Sequence, residues 1–85
     1  MSQESLPVNE AVHVIEYENI YRTDKWWCAV ALVNMFGHNK IAVYQWIKDT
    51  KTGKWKRKQK FTINHASDWE RMQEIIERLL PKAGI

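Results

Sequence analysis

KIAVYQWIKDTKTGKWKRKQKFTI, residues 40 to 63, is the stretch whose reading decides the fold. A strand sends successive side chains to opposite faces, so parity alone sorts its first half. Ile41, Val43, Gln45 and Ile47 share one face, and Lys40, Ala42, Tyr44, Trp46 and Lys48 share the other. DTKTG (49–53) has the composition of a hairpin loop. The second half, KWKRKQKFTI (54–63), reads as a strand with Phe61 and Ile63 on an apolar face and Lys56, Lys58, Lys60 and Thr62 opposite. A hairpin built this way puts Tyr44 and Trp46 beside a row of lysines.

Working outward, VHVIEYENIY (12–21) is rich in β-branched and aromatic residues, and WWCAVALVNMF (26–36) is a nearly continuous apolar run. Both read as strands, separated by RTDK. FGHNK (36–40) supplies the next turn, with Gly37 and Asn39 suited to left-handed backbone angles. After residue 63 the apolar period changes to that of a helix, because Trp69, Met72, Ile75, Ile76, Leu79 and Leu80 fall on one side. SDWE (67–70) matches a capping box, and Pro81 with Gly84 marks the helix end. The first ten residues are polar and aperiodic and are expected to form a flexible arm, leaving residues 11–85 as one domain. The order is therefore four strands followed by one amphipathic helix, an α+β class in which the helix can cover only one face of the sheet.

The formal charge of +3 conceals a strong asymmetry. Residues 40–60 hold eight cations against Asp49 alone, a local +7, while the rest of the chain sums to −4. Residues 1–20 carry four glutamates and no lysine or arginine. A concentrated basic field of this kind suits an anionic partner. Tryptophans interleaved with the lysines sharpen that reading. Single-stranded nucleic acid offers phosphates to cations and base faces to aromatic rings, and neither contact depends on sequence.

Blander roles compete. Lysines on an edge strand block unwanted strand pairing, and Trp55, beside the loop, could be a packing lid. The 26–36 run is apolar on both parities, which implies protein on both sides, and one helix cannot provide it. A two-fold subunit contact across that strand is expected. An 85-residue chain also buries little surface alone. Trp69 and the helical Met and Ile residues belong to the core or to the dimer interface.

Other chemistries find little support. His13, His38, His65 and Cys28 lack the short spacings of structural zinc sites, so no metal or other cofactor is expected. No Gly-x-Ser-x-Gly and no phosphate loop occurs, and Ser67 is assigned to the cap, which argues against an enzyme or a small-molecule substrate. Cys28 is the only cysteine and suits a reducing compartment. No secretory signal and no membrane-spanning run is evident, so a cytoplasmic location is expected.

From about Lys25 to Leu80 the chain resembles the single-stranded-DNA-binding family of positive cofactor four and its bacterial, archaeal and phage relatives, whose fold is related to that of the whirly proteins. VYQWIKD resembles the family's aromatic-ending strand, DTKTG its turn, KWKRKQKFTI its basic strand, and NHASDWERMQEII the start of its helix. The resemblance implies a homodimer that binds single-stranded DNA, each subunit a curved four-stranded antiparallel sheet followed by one C-terminal helix. It assigns base stacking to Trp46, with Phe36 as the aromatic at the preceding turn, and phosphate contact to Lys56, Arg57, Lys58 and Lys60. The serine-rich regulatory arm of the eukaryotic members has no counterpart here, so DNA binding is implied and coactivation is not.

Together these readings name Phe36, Lys40, Tyr44, Trp46, Lys48, Lys54, Trp55, Lys56, Arg57, Lys58 and Lys60 as the nucleic-acid-binding set. The alternatives are an RNA-binding or RNA-chaperone protein using the same surface, and a dimeric protein-interaction module with no nucleic-acid ligand.

Overall fold

In a computed structural model, which describes residues 5–85, β1 (His13–Arg22), β2 (Trp26–Met35), β3 (His38–Lys48) and β4 (Trp55–Ile63) precede α1 (Ala66–Ala83). The strands form one antiparallel sheet in the order β1-β2-β3-β4, a meander in which each strand pairs with its chain neighbour. Short polar connections make that order the natural one, since antiparallel neighbours need only a tight turn.

Each turn has a distinct chemistry. Between β1 and β2, Thr23 accepts the Trp26 N–H on its hydroxyl at 2.9 Å and donates its own N–H to Trp26 O at 2.7 Å. Between β2 and β3 the chain reverses on Phe36 and Gly37, with φ of +53° and +80°, flanked by the Met35–His38 pair. Positive φ at both central residues is what a type I′ hairpin demands. The left-handed residues are therefore Phe36 and Gly37. Asn39 is already in strand, paired with Asn34 and bonded to it through its side-chain oxygen at 2.8 Å.

Between β3 and β4, the Asp49 carboxylate accepts the N–H of Lys51 at 2.8 Å and of Thr52 at 3.3 Å. Lys56 lies 3.1 Å from its other oxygen. The Lys51 N–H, the Lys56 side chain and the Thr52 N–H together hold this carboxyl below the usual range.

Bulges modify the register. Ile15 and Ile20 are extra residues in β1, and Lys58 is extra in β4, where Gln45 pairs with Gln59 but Trp46 pairs with Arg57. The expected row of Lys56, Lys58 and Lys60 on one face does not form. The bulge exchanges parity beyond Lys58, so Trp55, Arg57 and Lys60 oppose Lys48, Trp46 and Tyr44. Lys56 instead opposes Ile47 on the other face.

The core also lies on the face expected to be open. Trp27, Ala29, Ala31 and Val33 of β2 and Ala42, Tyr44 and Trp46 of β3 are buried together with Leu6 and Val12. Ala31 directly opposes Ala42, and these small side chains leave a trough in which the segment before β1 can lie. Leu6 is 8% exposed, with Val8 packed beside it. Residues 5–10 are thus a cover on the sheet rather than the flexible arm that their polarity suggests; residues 1–4 of that arm lie outside the described residues. Three apolar side chains suffice to anchor the segment despite its polar composition.

The helix, conversely, covers little. None of its residues is buried, and Trp69, Ile76, Leu79 and Leu80 of its apolar stripe are about half exposed. It meets the sheet only beside β4. The sheet's second face, with Val30, Leu32, Ile41, Val43 and Ile63, opens into a cleft of about 550 Å³ closed at one end by His65, Ala66 and Trp69.

The helix starts away from the expected cap but stops at the expected glycine. The N-cap is His65, with no side-chain bond, rather than Ser67, because His65 O already accepts the N–H groups of Asp68 (3.1 Å) and Trp69 (3.4 Å). Pro81 sits inside the last turn, and the helix stops three residues later, at Gly84 with φ 71°. A glycine in the left-handed region is the usual stop signal.

Candidate nucleic-acid interface

The sheet face that carries β3's Tyr44 and Trp46 brings four aromatic rings together. Tyr44 stacks on Trp46 with centroids 5.0 Å apart, Trp27 lies 5.1 Å from Trp46, and Trp55 stands edge-on to Trp27 at 5.5 Å. Alternate positions on paired strands produce this cluster, since Trp27 is opposite Trp46, and Trp55 is opposite Lys48. The indole N–H of Trp27 donates to Asn19 at 2.7 Å.

Cations approach the rings. The Arg22 guanidinium lies 4.3 Å from the Trp27 ring and 4.7 Å from Trp55, Lys48 Nζ is 4.9 Å from Trp55, and Lys60 Nζ is 5.5 Å from Tyr44. Such contacts are favourable because the ring face carries negative quadrupole density.

Of the expected stacking residues, Tyr44 and Trp46 are 2% and 1% exposed, beneath the segment that carries Leu6 and Val12. Neither ring faces solvent. The phenol oxygen of Tyr44 and the indole nitrogen of Trp46 are sealed without a hydrogen-bond partner. Burial pushes the Tyr44 hydroxyl above the ordinary tyrosine value, with Arg57 pulling part of the way back. Trp55 is half-buried at the rim.

Phe36 is 83% exposed at the β2–β3 turn. Trp46 sits ten residues along, so roughly 30 Å of strand separates Phe36 from the ring cluster. The two cannot form one platform.

The cations are better placed than the rings for contact with an anion. Lys54, Lys56, Arg57, Lys58 and Lys60 are exposed along β4 and its approach, while Lys40 and Lys48 are half-buried in β3. Lys56 is committed to Asp49.

Sequence reasoning missed Arg22, which pairs across the β1–β2 hairpin with Trp27. Its place as the first residue of RTDK, with Trp27 the second residue beyond that segment, was the available signal. Among the described residues no group of three or more His, Cys, Asp or Glu is placed to hold a metal ion, and no helix is long and apolar enough to cross a membrane.

Compared with known proteins, the chain matches no family model, no curated protein and no solved structure.

Proposed function

We propose that this protein is a cytosolic, non-enzymatic, homodimeric binder of single-stranded DNA with little sequence preference, of the kind that its resemblance to the positive cofactor four family implies. The observation that carries the reading is the coincidence of cations and rings on one sheet face, where Arg22, Lys48 and Lys60 stand within 4.3 to 5.5 Å of the Trp27, Trp55 and Tyr44 rings. Exposed Lys54, Arg57, Lys58 and Lys60 extend that field along β4. Phosphates would track these cations while bases find the rim of the ring cluster.

The dimer is supported by what a single chain leaves uncovered. Among the described residues, the apolar stripe of α1 and the Val30, Leu32, Ile41 and Val43 face of the sheet have no intramolecular partner of comparable size. A second copy would cover both and complete a core that 85 residues cannot close alone.

Titration of a fluorescent oligo-dT by anisotropy at two salt concentrations, with duplex DNA and single-stranded RNA alongside, tests the proposal. Tight binding of oligo-dT, weak binding of duplex and a fall in log K of about 0.7 per neutralised phosphate for each log unit of salt are expected. Equal or tighter binding of RNA would instead identify an RNA-binding protein. Absence of binding at low salt would remove the nucleic-acid reading.

The burial of Tyr44 and Trp46, together with the open stripe on α1, favours a second reading, a dimeric protein-interaction module. That reading expects no oligonucleotide affinity and a protein partner held independently of salt.

A further inference from the structure

We infer that residues 5–12 form a displaceable strap over a cryptic single-strand site, and that an incoming strand takes the strap's place on Tyr44 and Trp46. The inference rests on the nucleic-acid reading above and adds to it where the bases go and what guards that place.

The strap holds the sheet through few side chains. Leu6, Val8 and Val12 pack on the ring and alanine cluster. Its backbone bonds close on themselves, Val8 N–H to Leu6 O at 2.9 Å and Val12 N–H to Asn9 O at 3.0 Å, with Ala11 N–H on the Asn9 carboxamide oxygen at 2.9 Å. Among the described residues, no backbone bond joins it to a strand. A segment attached in this way can leave without breaking a ladder.

The surface beneath is poorly matched to its cover. Trp46 Nε1 can only donate, and Tyr44 Oη can donate or accept, yet both atoms are buried with no hydrogen-bond partner. A base edge or a phosphate oxygen would accept from both. The stacked rings supply the flat apolar surface that a base needs once the strap has moved, and Lys60 and Arg57 stand at the margin for the phosphate.

Charge points the same way. Residues 5–12 contain Glu10 and no lysine or arginine, so the strap carries the same sign of charge as nucleic acid. Two occupants of like charge and one platform compete.

The test compares the full chain with its Leu6→Asp variant, which places a charge at the strap's buried anchor. Circular dichroism establishes that the variant is folded. Fluorescent oligo-dT binding should tighten at least fivefold in Leu6→Asp, and equal or weaker binding by the folded variant would overturn the strap. Hydrogen exchange on the unmodified chain gives an independent readout that needs no variant. Peptides covering residues 5–12 should exchange faster when oligo-dT is saturating, and unchanged or slower exchange would overturn the inference while leaving nucleic-acid binding intact. Failure of both proteins to bind would overturn the nucleic-acid reading itself.

Discussion

Tyr44 and Trp46 stack with ring centroids 5.0 Å apart and planes 10° from parallel, and the polar atom of each is sealed without a hydrogen-bond partner. Two residues apart on one strand, they share a face, and the segment carrying Leu6 and Val12 lies over them. Apolar packing is gained there at the expense of two buried polar groups, each costing about 1 to 3 kcal/mol when unpaired. Tyr44→Phe removes one such group and keeps the ring. The variant is expected to be more stable by about 1 kcal/mol, read as a higher urea midpoint at unchanged slope. A loss of stability would mean that the hydroxyl is satisfied in solution.

The same hydroxyl makes stability depend on alkaline pH. Burial raises its folded-state value above the ordinary tyrosine value, with Arg57 opposing. The unfolded chain therefore releases this proton first, and binds fewer protons than the folded chain in that window. Stability is complete below about pH 10 and falls as pH rises towards the folded-state value. Thermal unfolding from pH 9 to 11 should show a steeper decline for the unmodified chain than for Tyr44→Phe. Parallel curves would assign the decline to other groups.

The sequence made some of this legible and hid the rest for identifiable reasons. Four strands and a helix follow from apolar periods, and the parity that groups Ala42, Tyr44 and Trp46 on one face is the parity observed. Parity fails at Lys58, because a bulge adds one residue without any local composition that marks it. The cover over Tyr44 and Trp46 was illegible because Leu6, Val8 and Val12 sit in a polar, aperiodic segment whose packing depends on the alanine trough it meets. Thus the cations of β4 could be read from the sequence, whereas their division between faces, the place of Arg22 and the accessibility of the rings could not. Accessibility is a property of the distant segment that folds over them.

Phe36 takes φ of +53° while remaining 83% exposed, a costly backbone state with no burial in the chain to offset it. A side chain with a Cβ in this region costs roughly 1 to 2 kcal/mol, and asparagine tolerates it best. Phe36→Asn, giving the Asn-Gly pair favoured in such turns, should raise stability by about 1 kcal/mol. Thermal unfolding measures the change. If the unmodified residue is retained for contact with a ligand or partner, the stabilised variant will bind oligo-dT more weakly.

The basic strand should contribute charge rather than fold. Arg57, Lys58 and Lys60 are exposed, and surface changes of this kind usually alter stability by no more than about 0.5 kcal/mol. Replacing Lys58 by alanine should lower the slope of log K against log salt by about 0.7 if it neutralises one phosphate. Lys56→Ala should alter the slope less, because Lys56 is held 3.1 Å from Asp49 and faces away from the ring cluster. Equal effects from the two variants would show that the bulge does not divide the lysines between faces when ligand is bound.

Association is the remaining expectation, and Ile76 isolates it. Trp69, Ile76, Leu79 and Leu80 follow one another at helical spacing along α1, all about half exposed, so the helix presents an apolar stripe that its own sheet does not cover. A free stripe of this width on a helix is unstable against association, because each aliphatic side chain buried gains roughly 1.5 to 3 kcal/mol. Ile76→Asp places a charge at the stripe's centre without disturbing a buried contact in the single chain. Sedimentation equilibrium should find the unmodified protein dimeric at micromolar concentration and Ile76→Asp monomeric, with the dimer dissociation constant raised at least tenfold. Oligo-dT affinity should fall as well if a strand spans both subunits, since the two faces would no longer be linked. A monomeric unmodified protein would instead mean that the stripe awaits a different partner.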